Sequence, residues 1–377
     1  MTLTMQTVRD ATGTNGMNAI STFAGSGGSS TGHRLAGYRM LLANEFIPAA
    51  ADTYAANAAP YTTVDRSDIR ELTAENVLNT IGLDTGELHL MDGSPPCSAF
   101  STAGKRDEGW GQAKSYSDGA TQVVDDLFFE FARLVEGVQP KAFIAENVTG
   151  LVKGTARGYF KRIHAALENA GYQVSGFVGD GHRLGVPQER QRLFLIGARN
   201  DLGVKPTAPA PTQRISRIRD VAPYVLFAGN GSQGIEQNAK NSFQRGFRAR
   251  DKPLGTLGAG PVFPVSNSPS GVLVTDPIRD PFRAMRDPET GKTLDIGTGK
   301  TAARMHDRAR RAANGKRVLV RWATLQEVRA FAGFPTDFEL TGNFNQRWER
   351  LGRAVPPIMM SHISAHVRDT ILTEKAA

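Results

Sequence analysis

The fold of this chain is decided by the stretch Ile20-Ser21-Thr22-Phe23-Ala24-Gly25-Ser26-Gly27-Gly28. Its apolar start predicts a short strand, and its glycines predict a turn in which the backbone can approach a ligand closely. A helix that begins after such a turn presents unpaired N–H groups, which favour an anionic group. Taken alone, the stretch fits a nucleotide-binding turn and a plain tight turn equally well.

Strand-like and helix-like segments alternate from about residue 18 to residue 199. The later strand-like runs are Tyr38–Ala43, Leu88–Met91, Ala142–Ala145 and Leu193–Ile196. Helices are predicted from Pro48, over Val123–Val138 and over Tyr159–Ala170, which Gly171 closes. This alternation predicts an α/β fold with a doubly wound, parallel-type sheet.

The composition changes after Lys205-Pro206. Residues 206–316 are rich in Gly, Pro, Asn and Ser, and helical patterning resumes at Thr324–Phe331 and at Pro356–Thr373. The chain therefore leaves one domain and returns to it. The predicted parts are a loose tail over residues 1–16, a catalytic domain over 17–205 and 345–377, and a smaller irregular domain over 206–344.

The formal net charge of +8 is unevenly placed along the 377 residues. Between Arg245 and Arg317, 15 Lys and Arg residues stand against 7 Asp and Glu residues, an excess of 8 that equals the whole-chain value. Such a local excess favours a polyanionic partner, although a solvated loop region with scattered charges also fits. The sequence contains no run of 18 apolar residues, so no membrane-spanning helix is predicted.

The single cysteine, Cys97, lies in Asp92-Gly93-Ser94-Pro95-Pro96-Cys97-Ser98-Ala99-Phe100-Ser101. One cysteine excludes intramolecular disulfides and a Cys-rich zinc site, so we expect a reducing cytoplasm and no metal. A thiol held by two prolines at a strand exit indicates covalent chemistry. A small buried side chain is the alternative, and the local context leaves both open.

The ordered motifs of the chain resemble those of DNA cytosine-C5 methyltransferases. They are Phe23-Ala24-Gly25-Ser26-Gly27-Gly28, Glu45, Asp68, Pro95-Pro96-Cys97, Glu146-Asn147-Val148, Gln188-Glu189-Arg190-Gln191-Arg192, Gly333-Phe334-Pro335 and Gly352-Arg353-Ala354-Val355-Pro356-Pro357. The resemblance spans about residues 18–373 and leaves 206–316 unmatched, where the family has its variable target-recognition domain. It implies a Rossmann-like sheet that binds S-adenosylmethionine, with double-stranded DNA as the partner of a monomeric enzyme.

The resemblance also implies the catalytic roles. Cytosine C5 is a poor nucleophile, so the Cys97 thiolate would first add to C6 of a base swung out of the duplex. Glu146 would share a proton with N3. Arg192, together with Arg190, would hold the base carbonyl oxygen through planar contacts.

Cofactor and DNA contacts follow from the same resemblance. Phe23 would stack near the adenine, Glu45 would bind the ribose and Asp68 would accept from the adenine amine. The full cofactor set is Phe23, Gly25, Gly27, Gly28, Glu45, Asp68, Pro95, Arg353 and Val355. The DNA-contacting set is Ser98, Ser101, Lys105 and Arg106, in a loop expected to close on flipped DNA, with Arg245, Arg248 and Arg250 in the basic domain. Arg304, Arg308, Arg310 and Arg311 fit one solvated helix face instead.

Two positions depart from the family pattern. Ser21-Thr22 stands where Asp-Leu is common, and Arg353 stands where the last motif usually has Asn. A permanent cation beside a sulfonium is repulsive. Arg353 therefore either turns away to pair with an acid or a phosphate, or faces a carboxylated S-adenosylmethionine that delivers a carboxymethyl group.

The expected function is thus C5 methylation of DNA cytosine in the cytoplasm, in a bacterial or phage modification system. The same chemistry on transfer RNA is a second hypothesis. A catalytically silent DNA-binding protein is a third, and it predicts damage to Cys97, Glu146 or the arginines, none of which is seen.

Overall fold

The computed structural model describes residues 3–96, 113–115, 121–123, 126–154, 156–213, 216–228, 248–255, 257 and 272–373. Its helices are α1 (Met5–Ala11), α2 (Gly28–Leu35), α3 (Pro48–Asn57), α4 (Ala74–Ile81), α5 (Leu127–Val138), α6 (Ala156–Asn169), α7 (Ile218–Val221), α8 (Lys300–Ala312), α9 (Leu325–Phe331), α10 (Phe344–Arg353) and α11 (Pro357–Val367). Its strands are β1 (Asn18–Thr22), β2 (Arg39–Asn44), β3 (Thr63–Asp65), β4 (Leu90–Gly93), β5 (Ala113–Ser115), β6 (Thr121–Val123), β7 (Ala142–Asn147), β8 (Tyr172–Asp180), β9 (Gln188–Glu189), β10 (Gln191–Arg199), β11 (Val225–Ala228), β12 (Arg248–Ala249), β13 (Leu254–Gly255), β14 (Val272–Thr275) and β15 (Leu319–Trp322).

Within these described residues, seven strands form the main sheet in the order β3-β2-β1-β4-β7-β10-β8. β1 runs parallel to β2 and β4, and β4 runs parallel to β7. β10 runs antiparallel to both β7 and β8. The predicted α/β class with a doubly wound sheet is confirmed. The antiparallel strand is the exception to the predicted parallel type.

Helix α2 follows the Gly-rich turn and packs against α11 near the end of the chain. A Cβ added at Gly32 would lie 2.6 Å from the Met360 Cβ and from the Pro357 carbonyl oxygen. Only a residue without a side chain permits this approach. Apolar side chains of α11 fill one face of the main sheet, among them Met359, Met360 and Ile363. The last segment of the sequence is thereby fixed beside the first motif.

A second hydrophobic core lies outside the main sheet. It joins side chains of α7, α9 and α10, including Ile218, Phe331 and Trp348. The domain boundary predicted at residue 345 falls inside α10, and α10 belongs to this second core. Val355 is the first residue after α10 that packs in the core beside the main sheet. A smaller sheet in the order β12-β11-β14-β15 has α8 packed against it.

The N-terminal stretch forms a helix and not the predicted loose tail. In α1, Met5 and Val8 are buried in the second core, and the Met5 N–H donates to the Asp337 carboxylate at 2.6 Å. The Thr4 hydroxyl caps the helix by accepting from the Thr7 N–H. The polar composition concealed two apolar positions three residues apart, which lie on one helical face.

Candidate active site

The register of the central strands brings Glu146 and Arg192 together. β7 ends at Asn147 and pairs antiparallel with β10, with Phe194 opposite Glu146 and Leu193 opposite Asn147. The Arg192 Nε lies 3.0 Å from Glu146 Oε1, and both side chains are largely buried. A charge-assisted contact of this kind fixes the orientation of the carboxyl group. The structure therefore brings these two candidate catalytic residues together.

The Pro-Pro segment reaches the same place from β4. Gly93 pairs with Ala145 in parallel register, so Ser94 and Pro95 continue alongside Glu146 and Asn147. The Asn147 side-chain amide donates to the Pro95 carbonyl oxygen at 3.0 Å. The Ser94 hydroxyl hydrogen-bonds to Glu146. Cys97 itself lies outside the described residues, two positions beyond this anchored carbonyl.

Glu146 has the environment of a general acid. Burial raises the pKa of its carboxyl group, and the positive charges of Arg192 and Arg190 offset that rise only in part. A carboxyl with a raised pKa keeps its proton to a higher pH than an exposed glutamate. This is the property that proton sharing with a ring nitrogen requires.

The Gly-rich turn and the end of β2 form a second polar site. The Gly25 N–H donates to Glu45 Oε2, and the Ile47 N–H donates to Glu45 Oε1, each at 2.7 Å. Gly25 has φ of +56°, and a Cβ at this position would meet no atom within 4 Å. Phe23 also has a positive φ, of 51°. The turn thus leaves open space beside a buried, oriented carboxylate, which fits a cofactor with hydroxyl groups.

Glycine is needed at positions 27 and 28 for different structural reasons. Gly27 has φ of +91° at the start of α2, where L side chains are strained. A Cβ at Gly28 would lie 2.2 Å from the Val355 carbonyl oxygen. Gly28 therefore serves close packing against the last motif and not direct access of a ligand. Val355, predicted as a cofactor residue, contacts the site through this packing.

A family model for C-5 cytosine-specific DNA methylase matches residues 17–368. The chain belongs to this family. A type II methyltransferase of Neisseria gonorrhoeae, M.NgoPII, is 27% identical over 369 residues, which cover 95% of this chain and 97% of the relative. A second relative from that organism, M.NgoFVII, is 29% identical over 90% of this chain and 83% of its own length.

Solved structures share the fold of the methylase. A DNA modification methyltransferase encoded within an E. coli prophage superposes with a TM-score of 0.63 at 18% identity, over 94% of this chain and 99% of the other. The Dnmt2 methyltransferase of S. pombe superposes with a TM-score of 0.58 at 16% identity, over 94% and 98%. These likenesses confirm an α/β methyltransferase fold.

In the methylase, the Arg190 guanidinium contacts the backbone of the last motif. Its side chain is 1% exposed, and its guanidinium donates to the carbonyl oxygens of Gly352 and Arg353 at 2.9 and 3.0 Å. These carbonyls belong to the end of α10, whose last turn lacks intrahelical donors. We therefore assign Arg190 as a positioning residue for the last motif, in place of the predicted catalytic role.

Arg353 pairs with a protein acid. Its Nε lies 2.7 Å from the Glu349 carboxylate one helical turn earlier, and its side chain is 41% exposed. Of the two arrangements considered for this position, the structure contains the contact with a protein acid. The guanidinium already has an anionic partner without any carboxylate on the cofactor.

Asp68 follows β3 and contacts Arg70 at 3.2 Å. Arg70 also pairs with Asp126 at the start of α5. The ends of β2 and β3 are joined because the Asn44 side-chain amide donates to the Asp65 carboxylate at 2.6 Å and to the Ser67 carbonyl oxygen at 3.0 Å. Asp68 is thus held just after the end of β3, next to the end of β2 that leads to Glu45.

The candidate DNA contacts are placed only in part. Ser98, Ser101, Lys105, Arg106 and Arg245 lie outside the described residues, as does the Arg248 side chain on β12. Arg250 is exposed, and its backbone pairs with Leu226 and Arg219. On α8, Arg310 and Arg311 share the Asp307 carboxylate. None of these described side chains contacts Glu146 or Arg192.

Sequence reasoning missed a buried polar cluster behind the site. The Ser21 hydroxyl donates to Asp92 Oδ2 at 2.9 Å, and His33 Nε2 lies 3.4 Å from the same oxygen. His33 Nδ1 lies 2.7 Å from the Ser364 hydroxyl oxygen. The cluster links β1, β4, α2 and α11. The signal was available: Ser21 departs from the family's Asp, and Asp92 interrupts an apolar strand.

Two further properties concern the described part of the methylase. No helix there combines the length and the apolar character that crossing a bilayer demands. No group of three or more His, Cys, Asp or Glu side chains there is arranged to hold a metal ion.

Proposed function

We propose that the methylase transfers a methyl group to C5 of cytosine in double-stranded DNA, through a covalent bond between Cys97 and C6 of a flipped base. The observation that carries the proposal is the convergence of three strand ends. The Glu146–Arg192 pair lies beside the Pro95 carbonyl that Asn147 anchors, and this carbonyl is two residues from Cys97. An acid and a guanidinium thereby lie together at one end of the central strands, beside the segment that leads to Cys97.

The first step is nucleophilic addition. The Cys97 Sγ forms a bond to C6, and the C5–C6 π electrons move toward C5 and N3. Burial raises the pKa of Glu146 and so favours the protonated carboxyl, which donates a hydrogen bond or its proton to N3. Arg192 is oriented by Glu146 and holds the carbonyl oxygen of the base. The activated C5 then has the electron pair that a methyl group needs.

The last step restores the aromatic ring. Loss of the C5 proton to solvent returns an electron pair to the C5–C6 bond. The same movement breaks the bond between Sγ and C6 and regenerates the Cys97 thiolate. Glu146 recovers the proton that it shared with N3, so the enzyme leaves the cycle unchanged.

The residues at the Gly-rich turn fit S-adenosylmethionine. This cofactor supplies the methyl group when it is bound. The open space at Gly25 admits a ligand close to the backbone, Glu45 offers an oriented carboxylate for hydroxyl groups, and Asp68 offers an acceptor at the neighbouring strand end. The pairing of Arg353 with Glu349 supports a methyl donor, because this cation has a protein carboxylate as its partner. Methyl is accordingly the proposed group.

The biological setting is inferred from the relatives. Curated proteins similar to this chain along most of their length are named type II methyltransferases. We infer that this protein also acts as a modification enzyme, as a monomer in the cytoplasm of a bacterium or a phage-infected cell. Double-stranded DNA is the substrate that fits the basic segment between residues 245 and 317.

The test is expression of the wild-type chain and of Cys97→Ser in a host that lacks cytosine methylation. We expect C5-methylcytosine at defined sites in genomic DNA with the wild type and none with Cys97→Ser. Methylation confined to transfer RNA would replace DNA by RNA as the substrate. Absence of methylation in both nucleic acids, with folded protein present, would contradict the proposed function and favour the silent DNA-binding protein.

A further inference from the structure

The second part of the molecule carries a motif that occurs twice in succession. Asp276-Pro277-Ile278-Arg279 is followed directly by Asp280-Pro281-Phe282-Arg283, between β14 and α8. We call residues 276–283 the Asp-Pro turn. It is separate from the arginines that sequence analysis selected as DNA contacts.

The two carboxylates of the Asp-Pro turn form hydrogen bonds and ion pairs within the protein. Asp276 Oδ1 accepts from the Ile278 N–H at 2.9 Å, and Asp280 Oδ1 accepts from the Phe282 N–H at 2.8 Å. The Asp280 carboxylate also accepts hydrogen bonds from Arg321 Nε and Nη2 at 2.8 and 2.9 Å, and both side chains are fully buried. Arg321 in turn pairs with Glu327 at 2.8 Å. The turn is therefore fixed to the second core by buried ion pairs.

The two copies present their third residues differently. Phe282 packs inward, with the Arg321 guanidinium 5.2 Å from its ring centre and Tyr224 at 6.3 Å. Ile278 is 84% exposed. A single exposed isoleucine on a surface is ordinary. Here, however, it is carried at the tip of a turn whose backbone is held by its own aspartates.

The arginines of the two copies complete this surface. Arg279 and Arg283 are exposed, and neither has a carboxylate partner among the described residues. Because Asp276 and Asp280 are used by backbone N–H groups and by Arg321, the outward face of the turn is cationic although its composition is balanced. The turn thus displays two cations beside one apolar side chain.

We infer that the Asp-Pro turn contacts duplex DNA, with Arg279 and Arg283 on backbone phosphates and Ile278 against sugars or base edges in a groove. This rests on the proposed function and adds a specific contact surface to it. Phosphates are the anions that exposed, unpaired guanidiniums bind in register along a duplex. Apolar side chains between such cations contact groove walls or insert at base steps. A rigid turn makes these contacts without the entropy loss of ordering a loop.

The experiment measures duplex affinity against salt concentration for a 30-base-pair probe of mixed sequence. The variants are Arg279→Ala/Arg283→Ala and Ile278→Ala. Their matched controls are Arg9→Ala/Arg66→Ala, which removes two exposed charges elsewhere, and Val178→Ala, which truncates another exposed apolar residue on β8. Unfolding temperatures of all variants are measured in parallel.

We expect the arginine variant to reduce the slope of log Kd against log salt by about 1.8, which corresponds to two phosphate contacts. Ile278→Ala should weaken binding by about threefold to tenfold with the slope unchanged, because one or two buried CH2 groups are lost. Slopes and affinities equal to those of the controls would overturn this inference while the wild type still bound and methylated DNA. A wild type that neither binds the duplex nor methylates DNA would overturn the proposed function itself.

Discussion

At the scale of single residues, the proposed reaction depends on the protonation of Glu146. Its buried carboxyl has a raised pKa and an oriented partner in Arg192. The carboxyl is mostly protonated below its pKa and loses its proton as the pH rises through that value. The raised pKa therefore extends the protonated form of Glu146 toward neutral pH. The Cys97 thiolate has the opposite requirement, since it forms as the pH rises. The rate should therefore reach a maximum between the two transitions.

Glu146→Gln tests this assignment. The amide donates to N3 without transferring a proton, so we expect kcat to fall by about 10²- to 10⁴-fold. The decrease of kcat at high pH that Glu146 ionisation causes in the wild type should disappear. The measurement is a pH–rate profile on unmethylated DNA. An unchanged kcat, or the same basic decrease in the variant, would show that another group supplies the proton.

Arg353→Asn tests the role of the unusual cation. Because Arg353 pairs with Glu349 on a half-exposed helix surface, its loss should cost about 0.3–0.5 kcal/mol of stability. We expect kcat/KM with S-adenosylmethionine to remain at the wild-type value. Turnover of both proteins is compared with S-adenosylmethionine and its carboxylated form. A wild-type preference for the carboxylated cofactor that the variant loses would restore the carboxymethyl hypothesis.

At the scale of elements, the contact between α2 and the last motif sets the shape of the cofactor site. A Cβ at Gly28 would lie 2.2 Å from a backbone oxygen, and backbone is costly to displace. Gly28→Ala should therefore destabilise the protein by about 1–3 kcal/mol, as overpacking does. It should also weaken cofactor binding, since α2 and Val355 must separate.

The matched control for this change is Gly158→Ala on α6. A Cβ there would meet no atom within 4 Å, and its backbone needs no positive φ. We expect a stabilisation of about 0.5–1 kcal/mol, since alanine is the better helix former. Chemical denaturation of both variants checks the pair. Equal effects at Gly28 and Gly158 would refute the close contact between α2 and the last motif.

The elements also show how far sequence reasoning reaches. β1, β2, β7 and the helix from Pro48 were predictable because apolar runs and glycine or proline boundaries are local signals. β8 was missed because it is the outermost strand and most of its residues are exposed or half-buried, without a continuous apolar run. The role of Arg190 was not predictable, because its carbonyl partners at Gly352 and Arg353 are 162 and 163 residues away. Such partners follow from packing and not from sequence spacing.

At the scale of the whole molecule, segments distant in sequence are interlocked. α1 packs in the second core, α10 leads from that core to Val355, and α11 returns to the main sheet. Gln188 joins the two parts as well. Its side chain donates to the Phe331 carbonyl oxygen at 3.2 Å and accepts from the Leu257 N–H at 3.0 Å. The N-terminus, the second core and the active-site strands should therefore unfold together.

Val8→Asp tests this interlocking. The side chain is fully buried, so an unpaired carboxylate at this position is strongly unfavourable. We expect one cooperative transition at a clearly lower Tm, with cofactor binding and the second core lost together. Arg9→Ala on the exposed face of α1 is the control and should leave the Tm unchanged. A wild-type Tm in Val8→Asp would show that residues 1–16 are a loose tail that does not stabilise the second core.

In the proposed reaction, the Cys97 sulfur meets one cytosine where Glu146, Arg192 and the anchored Pro95 carbonyl converge. The most direct measurement is mass spectrometry of the complex formed with a 5-fluorocytosine duplex and S-adenosylmethionine, followed by proteolysis. Fluorine at C5 blocks the final elimination, so we expect a stable bond between the methylated base and Cys97, absent in Cys97→Ser. Attachment to any other residue, or no adduct from an enzyme that methylates the unfluorinated duplex, would contradict it.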